Sequence, residues 1–131
     1  MTSPDVTRHN PRITFRPATM DDIESLYGIT DISFSVRAFT FLLDGELAGM
    51  GGLRYSGGYF VAFCDIKDDI MVSKTTVVRC GLEVMKMIRA MKVPVFAVRE
   101  DRHKTADRFL RAMGFSWDHT DTSGEVYKWQ A

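Results

Sequence analysis

The feature that most constrains the fold is a long amphipathic segment that stands between two apolar runs of strand length. The runs are YFVAFCDI (59–66) and VPVFAVR (93–99), and their near-continuous apolar character is typical of strands covered on both faces. Between them, apolar residues from Val77 to Met91 recur with helical spacing, and Pro94 bars the helix from continuing. A strand, a helix and a second buried strand in succession predict a parallel crossover within one sheet.

Hairpins are predicted on either side of this crossover. Asp44-Gly45 separates two strand-like runs, and Asp-Gly is a strong signal for a two-residue hairpin turn. Glycines at positions 49, 51 and 52 in the second run indicate a bulge or a close approach of another backbone. Near the end of the chain, two alternating runs flank the turn DTSG (121–124). The sheet is therefore predicted to be mixed, with antiparallel pairs around one parallel pair.

Two shorter helices complete the pattern. Thr19 followed three residues later by Asp22 is a helix-start signature, and Ser73 has the same capping role before the long helix. The segment KTADRFLRAMGF (104–115) predicts a last helix with one apolar stripe that ends at Gly114. The predicted order is β-α-β-β-β-α-β-α-β-β, which defines an α/β (α+β) domain with a mixed sheet of about six or seven strands and helices on both faces.

Composition excludes several classes of protein. The 131 residues carry a net charge of zero, so we expect no broad electrostatic binding of nucleic acid or of an anionic membrane. The apolar runs are too short to span a bilayer, and the three histidines have no metal-ligand spacing. The N-terminus lacks a signal-peptide core, so a cytoplasmic location is expected. We predict a flexible arm over residues 1–11 and one domain over residues 12–131.

The element order, together with FRPATMDDI (15–23) and ADRFLRAMGF (106–115), resembles the GNAT superfamily of N-acetyltransferases over about residues 12 to 130. The most specific part is Ala106, which stands eight residues before Gly114-Phe115 and follows a buried strand. The resemblance implies a GNAT-type N-acyltransferase that moves an acetyl group from acetyl-CoA to an amine by direct attack. The acceptor would be a small amine or a protein amine.

The resemblance also implies where acetyl-CoA would bind. The family holds the pyrophosphate with a loop of the pattern [Gln/Arg]-x-x-Gly-x-[Gly/Ala], and the matching segment here, DDIMVSKTTVVRCG (68–81), lacks that pattern. By position, the start of the long helix would contact the phosphates through free N–H groups and one lysine charge. The alternative is a plain capped helix start. The end of the fourth strand would give a backbone N–H to the acetyl carbonyl. The implied cofactor-binding residues are Ile66, Lys67, Ser73, Lys74, Thr75 and Thr76.

The acid–base residues that the family often uses are replaced. Leu110 occupies the position of a frequent tyrosine, and His103 that of a frequent asparagine. Asp65, at the end of one buried run, and Glu100 and His103, after the other, are the candidate catalytic substitutes. Each has a structural alternative, namely a strand-end cap or salt-bridge partner for Asp65 and a solvated charged loop for the other two.

These departures support a second hypothesis. The chain resembles small GNAT-like proteins of tailed bacteriophages, which also lack the glycine-rich signature. A catalytically inactive binding or virion-associated protein is therefore the alternative to an enzyme, and its location would be the host cytoplasm or the virion. Closing strands of this fold often pair between subunits, so a homodimer is also left open.

Overall fold

The computed structural model describes residues 12–31, 35–67, 70, 72–99 and 106–130. Within them, seven strands are present: β1 (Ile13–Pro17), β2 (Ser35–Leu43), β3 (Glu46–Ser56), β4 (Tyr59–Ile66), β5 (Val95–Arg99), β6 (Ser116–Asp121) and β7 (Gly124–Trp129). The helices are α1 (Met20–Tyr27), α2 (Lys74–Met91) and α3 (Ala106–Ala112). The predicted order is confirmed. The arm predicted for residues 1–11 lies outside the described residues.

All seven strands belong to one mixed sheet, in the order β1-β2-β3-β4-β5-β7-β6. The β4–β5 pair is parallel and is connected through α2, whereas the other five neighbouring pairs are antiparallel. The crossover predicted from the two apolar runs is therefore confirmed. The hairpin predicted at Asp44-Gly45 is also present, and both turn residues have positive φ, as a tight hairpin turn requires.

Local capping explains where the first helix begins. Thr19 Oγ1 accepts a hydrogen bond from the Asp22 N–H at 3.2 Å, and the Asp22 carboxylate accepts one from the Thr19 N–H at 2.9 Å. The same carboxylate forms two hydrogen bonds with Arg16 of β1, at 2.6 and 2.9 Å, and one with the Thr40 hydroxyl of β2. Asp22 therefore fixes α1 to two strands while it caps the helix.

The helices cover both faces of the sheet. On one face, α2 contributes Val84, Met85 and Ile88 to a core that includes Leu53 and Val95. Leu110 of α3 and Met113, just after this helix, pack against the same core. On the opposite face, Ile23 and Tyr27 of α1 approach side chains of β3 and β4. Because side chains alternate along a strand, β4 directs Ala62 and Cys64 toward α2 but Phe63 and Asp65 toward α1.

Glycines in β3 and α2 allow unusually close packing. A Cβ at Gly49 would lie 2.3 Å from the Asp65 carbonyl oxygen and 2.4 Å from the Phe41 ring. The close approach predicted for the glycine-rich β3 is thus present. A bulge also lies in β3, because Phe41 pairs with Gly49 and Leu42 with Leu47, which leaves Ala48 as the extra residue. In α2, a Cβ at Gly81 would lie 2.5 Å from the Phe109 ring, so this glycine brings α3 close to α2.

The edge strand β6 is exposed along its whole length. Trp117 is 50% exposed, and its indole N–H donates to Glu125 of β7. His119 lies between Asp118 and Asp121, with its ring nitrogens 2.6 and 3.3 Å from their carboxylates. These carboxylates raise the pKa of His119, and the hydrogen bond that the ring donates to Asp118 has the largest effect. Charged side chains on an edge strand oppose uncontrolled pairing with other strands.

Candidate functional site

The main opening in the sheet lies between β4 and β5. These strands pair at only two positions, Phe60 with Val95 and Val61 with Phe96. Beyond them, β4 stays paired with β3 as far as Ile66, and β5 stays paired with β7 as far as Arg99. Each strand therefore follows its outer neighbour and a gap opens between them. The prediction that the run 59–66 is covered on both faces is wrong for its second half, because Cys64 and Asp65 are exposed beside this gap.

We call the space in this gap the cleft; its volume is about 520 Å³. It is bounded by the ends of β4 and β5 and by the facing sides of α2 and α3. The side chains that α3 and the residue after it contribute to the wall are Ala106, Phe109, Leu110 and Met113. None of these four can transfer a proton, and Leu110 lies in the cleft at the position where the resemblance would place a tyrosine.

One wall of the cleft offers backbone donors. The Lys67 N–H donates to the Ala48 carbonyl at 2.9 Å, so it is engaged with β3 and turned away from β5. In an antiparallel ladder, N–H groups point alternately to the two sides of a strand. The N–H groups of Cys64 and Ile66 therefore point toward β5, where β4 has no pairing partner beyond Val61. Ile66 and Lys67 were the residues predicted to bind at the end of this strand. Ile66 directs its N–H toward the cleft, as a hydrogen bond to an acetyl carbonyl there would require.

The opposite wall carries a cationic side chain with one buried nitrogen. Arg99 lies at the end of β5 and lines the cleft. Its Nε is buried and has no hydrogen-bond partner among the described residues. A buried donor without a partner is costly, so a polar ligand atom in the cleft would find a donor at this position. Sequence patterns gave no indication of this role, since Arg99 follows the apolar run as an ordinary strand-end residue.

A second cavity, which we call the α1 cavity, lies on the other face of the sheet. Its volume is about 320 Å³, and α1, β3 and β4 supply most of its lining. Arg54, Phe63 and Asp65 line both this cavity and the cleft, so the two spaces meet at these three side chains. The arrangement gives one site two entrances, one from each face of the sheet.

Asp65 lies at this junction with a partner that the sequence did not reveal. The Tyr27 hydroxyl donates to Asp65 Oδ2 at 2.5 Å. Burial raises the pKa of Tyr27, and the hydrogen bond to Asp65 raises it further, so the phenol stays protonated and keeps donating. The two residues are 38 positions apart, and no local pattern connects them.

The start of α2 holds the remaining predicted cofactor-binding residues. Ser73 Oγ accepts a hydrogen bond from the Thr76 N–H at 3.2 Å and lies 3.1 Å from the Thr76 hydroxyl, as predicted for an N-cap. Lys74 and Thr75 are exposed, whereas Thr76 is buried. The first N–H groups of a helix have no acceptor within the helix, so those of Lys74 and Thr75 face outward. The capping of this helix by Ser73 therefore still leaves N–H groups that could bind a phosphate, so the two alternatives do not exclude each other.

The other two catalytic candidates, Glu100 and His103, lie outside the described residues.

Across the part of the chain that the structure describes, no three histidine, cysteine or acidic side chains form a group that could hold a metal ion. Among the described helices, none has the length and apolar character needed to cross a membrane.

The fold is shared with solved N-acetyltransferase structures, as the resemblance to the GNAT superfamily predicted. A solved structure with this fold is PaiA N-acetyltransferase from Thermoplasma acidophilum in complex with coenzyme A. It is 12% identical in sequence, with a TM-score of 0.67 over 92% of this chain and 99% of that chain.

Two further solved structures share the fold. Nourseothricin acetyltransferase is 15% identical, with a TM-score of 0.66 over 89% of this chain and 97% of its own. An aminoglycoside acetyltransferase in complex with coenzyme A and kanamycin is 15% identical, with a TM-score of 0.59 over 91% of this chain and 95% of its own. No protein-family model and no curated protein matches the sequence. The similarity therefore establishes the fold, and function has to be argued from the site.

Proposed function

We propose that the protein is an N-acetyltransferase that uses acetyl-CoA as the donor and an amine as the acceptor. The observation that carries the proposal is the cleft, because β4 and β5 separate after two paired positions and leave a space that reaches both faces of the sheet. Solved structures with this fold include complexes with coenzyme A, which supports the choice of donor.

The residues of the cleft fit such a donor. Bound acetyl-CoA would supply the activated acetyl group. The N–H groups of Cys64 and Ile66 offer hydrogen bonds to carbonyl oxygens inside the cleft, and so does Arg99 Nε, which has no partner among the described residues. At the start of α2, Lys74 and the outward N–H groups of Lys74 and Thr75 offer positive charge and donors for phosphate. Ser73 and Thr76 hold that helix start in shape.

The acceptor would reach the junction from the α1 cavity. Asp65 lies where this cavity meets the cleft, so its carboxylate can bind the incoming ammonium and take a proton from it. The Tyr27 hydroxyl fixes the orientation of that carboxylate. The α3 residues of the cleft wall provide no proton donor, so Glu100 and His103 remain the candidates for any further acid–base role.

The proposal is tested by titrating the purified, coenzyme-free protein with acetyl-CoA in a calorimeter. We expect one-to-one binding with a dissociation constant of roughly 1 μM to 1 mM, the usual range of enzyme substrates. Flat heats to millimolar ligand, with no rise in melting temperature, would contradict the proposal. They would favour the alternative, a catalytically inactive binding or virion-associated protein, for which Leu110 in the cleft is the supporting observation.

Reversal of the Lys74 charge tests the phosphate site. The Lys74→Glu variant is expected to bind acetyl-CoA about tenfold more weakly, because a charge-assisted contact to phosphate becomes a repulsive one. The fold should be unaffected, since glutamate is favourable in the first turn of a helix. The matched control is Lys86→Glu, an exposed position of the same helix whose pair with Glu83 is also exposed. Equal affinities of both variants and the wild type would remove this role from Lys74.

A further inference from the structure

The walls of the α1 cavity define one part of its ligand. Ile23, Val36, Met50 and Phe63 line it, so most of a bound molecule would contact apolar side chains. A volume of about 320 Å³ is at the small end of ligand pockets. At roughly 30 Å³ for a water-sized atom group, it holds about ten non-hydrogen atoms. The cavity therefore suits a compact molecule with an apolar body.

The polar end of the cavity defines the other part. Asp65 Oδ2 accepts the Tyr27 hydroxyl, whereas Oδ1 has no hydrogen-bond partner among the residues that the structure describes. An oriented carboxylate with one oxygen free is an acceptor for a cationic donor, and an ammonium group carries such donors. Because this oxygen lies at the junction with the cleft, an ammonium bound here would face the donor side of the site.

A third residue limits the charge of the ligand. Arg54 also lines the α1 cavity and the cleft, so a cationic side chain accompanies the single carboxylate. One ammonium balances Asp65, but additional ammonium groups would meet the Arg54 guanidinium, and the described lining residues include no second carboxylate to offset them. The lining thus disfavours polycations such as aminoglycosides, although one neighbour in fold was solved with kanamycin.

We infer that the α1 cavity binds a compact primary monoamine with an apolar body, whose ammonium group contacts Asp65 while its body packs against Met50 and Phe63. The inference rests on the proposed function, since it names the class of acceptor. It also defines a binding site that can be tested without any acetyl donor.

The first test uses 2-phenylethylamine as the probe, titrated into ¹⁵N-labelled protein without acetyl-CoA. We expect chemical-shift changes centred on α1, Met50 and residues 63–65. The neutral analogue 2-phenylethanol should bind about tenfold more weakly, because it cannot form the charged contact with Asp65. Kanamycin should produce no shifts in the cavity. Equal binding of the amine and the alcohol, or stronger binding of kanamycin, would overturn the inference.

Two conservative variants test the named groups. Asp65→Asn keeps the shape of the side chain and should reduce 2-phenylethylamine affinity about tenfold or more, with little change for the alcohol. Tyr27→Phe removes only the hydroxyl and should cause a smaller loss, again specific to the amine. The matched control is Glu24→Gln, an exposed carboxylate on the same helix that does not line the cavity. A control variant that loses amine affinity as much as Asp65→Asn would contradict the assignment.

The amine titration and the acetyl-CoA titration separate the two proposals. If acetyl-CoA binds but 2-phenylethylamine leaves the cavity resonances unchanged, the acceptor inference is overturned and the proposed function stands. If the amine binds and acetyl-CoA does not, the cavity is an amine-binding site and the proposed function falls. If both bind, release of free thiol in their presence should exceed that with kanamycin by about tenfold or more in kcat/KM.

Discussion

Replacement of Ala106 with phenylalanine is expected to reduce kcat/KM with acetyl-CoA by about 100-fold or more while the protein stays folded. Ala106 is the first residue of α3 and lines the cleft, where a phenyl ring would occupy space needed by the donor. The residue is only partly buried, so the larger side chain can be accommodated by filling the cleft and not by displacing the core. The measurements are acetyl-CoA affinity by calorimetry and thiol release with an active amine.

The control for this prediction is Ala112→Phe, which makes the same substitution at the exposed last residue of the same helix. We expect its melting temperature and its acetyl-CoA affinity to match those of the wild type. Wild-type affinity in Ala106→Phe would show that the donor does not enter between β4 and β5, and the proposed function would lose its main support. Reduced affinity in both variants would point to a general effect on α3.

The second large effect concerns stability. Asp22→Ala is expected to lower the free energy of unfolding by about 3 kcal/mol, because the buried carboxylate accepts hydrogen bonds from Arg16, Thr19 and Thr40. Thr40 is fully buried, so its hydroxyl would lose its partner without gaining water. Urea unfolding at pH 7 measures the change. A loss within about 0.5 kcal/mol would show that the network contributes no more than an ordinary surface contact.

The pH dependence and a second substitution test whether the hydrogen bonds of Asp22 cause this loss of stability. The hydrogen bonds from Arg16 lower the pKa of Asp22 more than any other cause. The contribution of Asp22 is therefore fully present above the ordinary carboxyl pKa of about 4 and is lost as the pH falls below it. The advantage of wild type over Asp22→Ala should shrink over the same range. Adding Thr40→Val to Asp22→Ala should recover about 1 kcal/mol, since it removes the orphaned hydroxyl.

Helix starts and the first hairpin were predictable because their causes are local. Thr19 and Asp22 are three residues apart and cap each other, Ser73 caps Thr76 in the same way, and Asp44-Gly45 forms the turn. Each signal is contained within a few residues, so it can be identified in the sequence without knowledge of the fold.

The site was less predictable because its causes are distant along the chain. The gap opens where β4 and β5 each keep pairing with their outer neighbours. Such pairing uses backbone groups, so the amino-acid sequence gives little indication of where it stops. Asp65 was identified as a candidate, but its contact with Tyr27 spans 38 residues and joins a helix to a strand. Arg99 Nε is buried without a hydrogen-bond partner among the described residues, and its burial depends on several elements that are distant in the sequence.

The short pairing between β4 and β5 also has a consequence for cooperativity. It joins two groups of strands, β1–β4 and β5–β7, through only two residue pairs. The other contacts between the two groups of strands are made by side chains. Val84, Met85 and Ile88 of α2 pack against Leu53 of one group and Val95 of the other. The two groups are therefore joined by little backbone pairing and mostly by side-chain packing, so the packing of α2 helps to set how readily they move apart in sub-global opening.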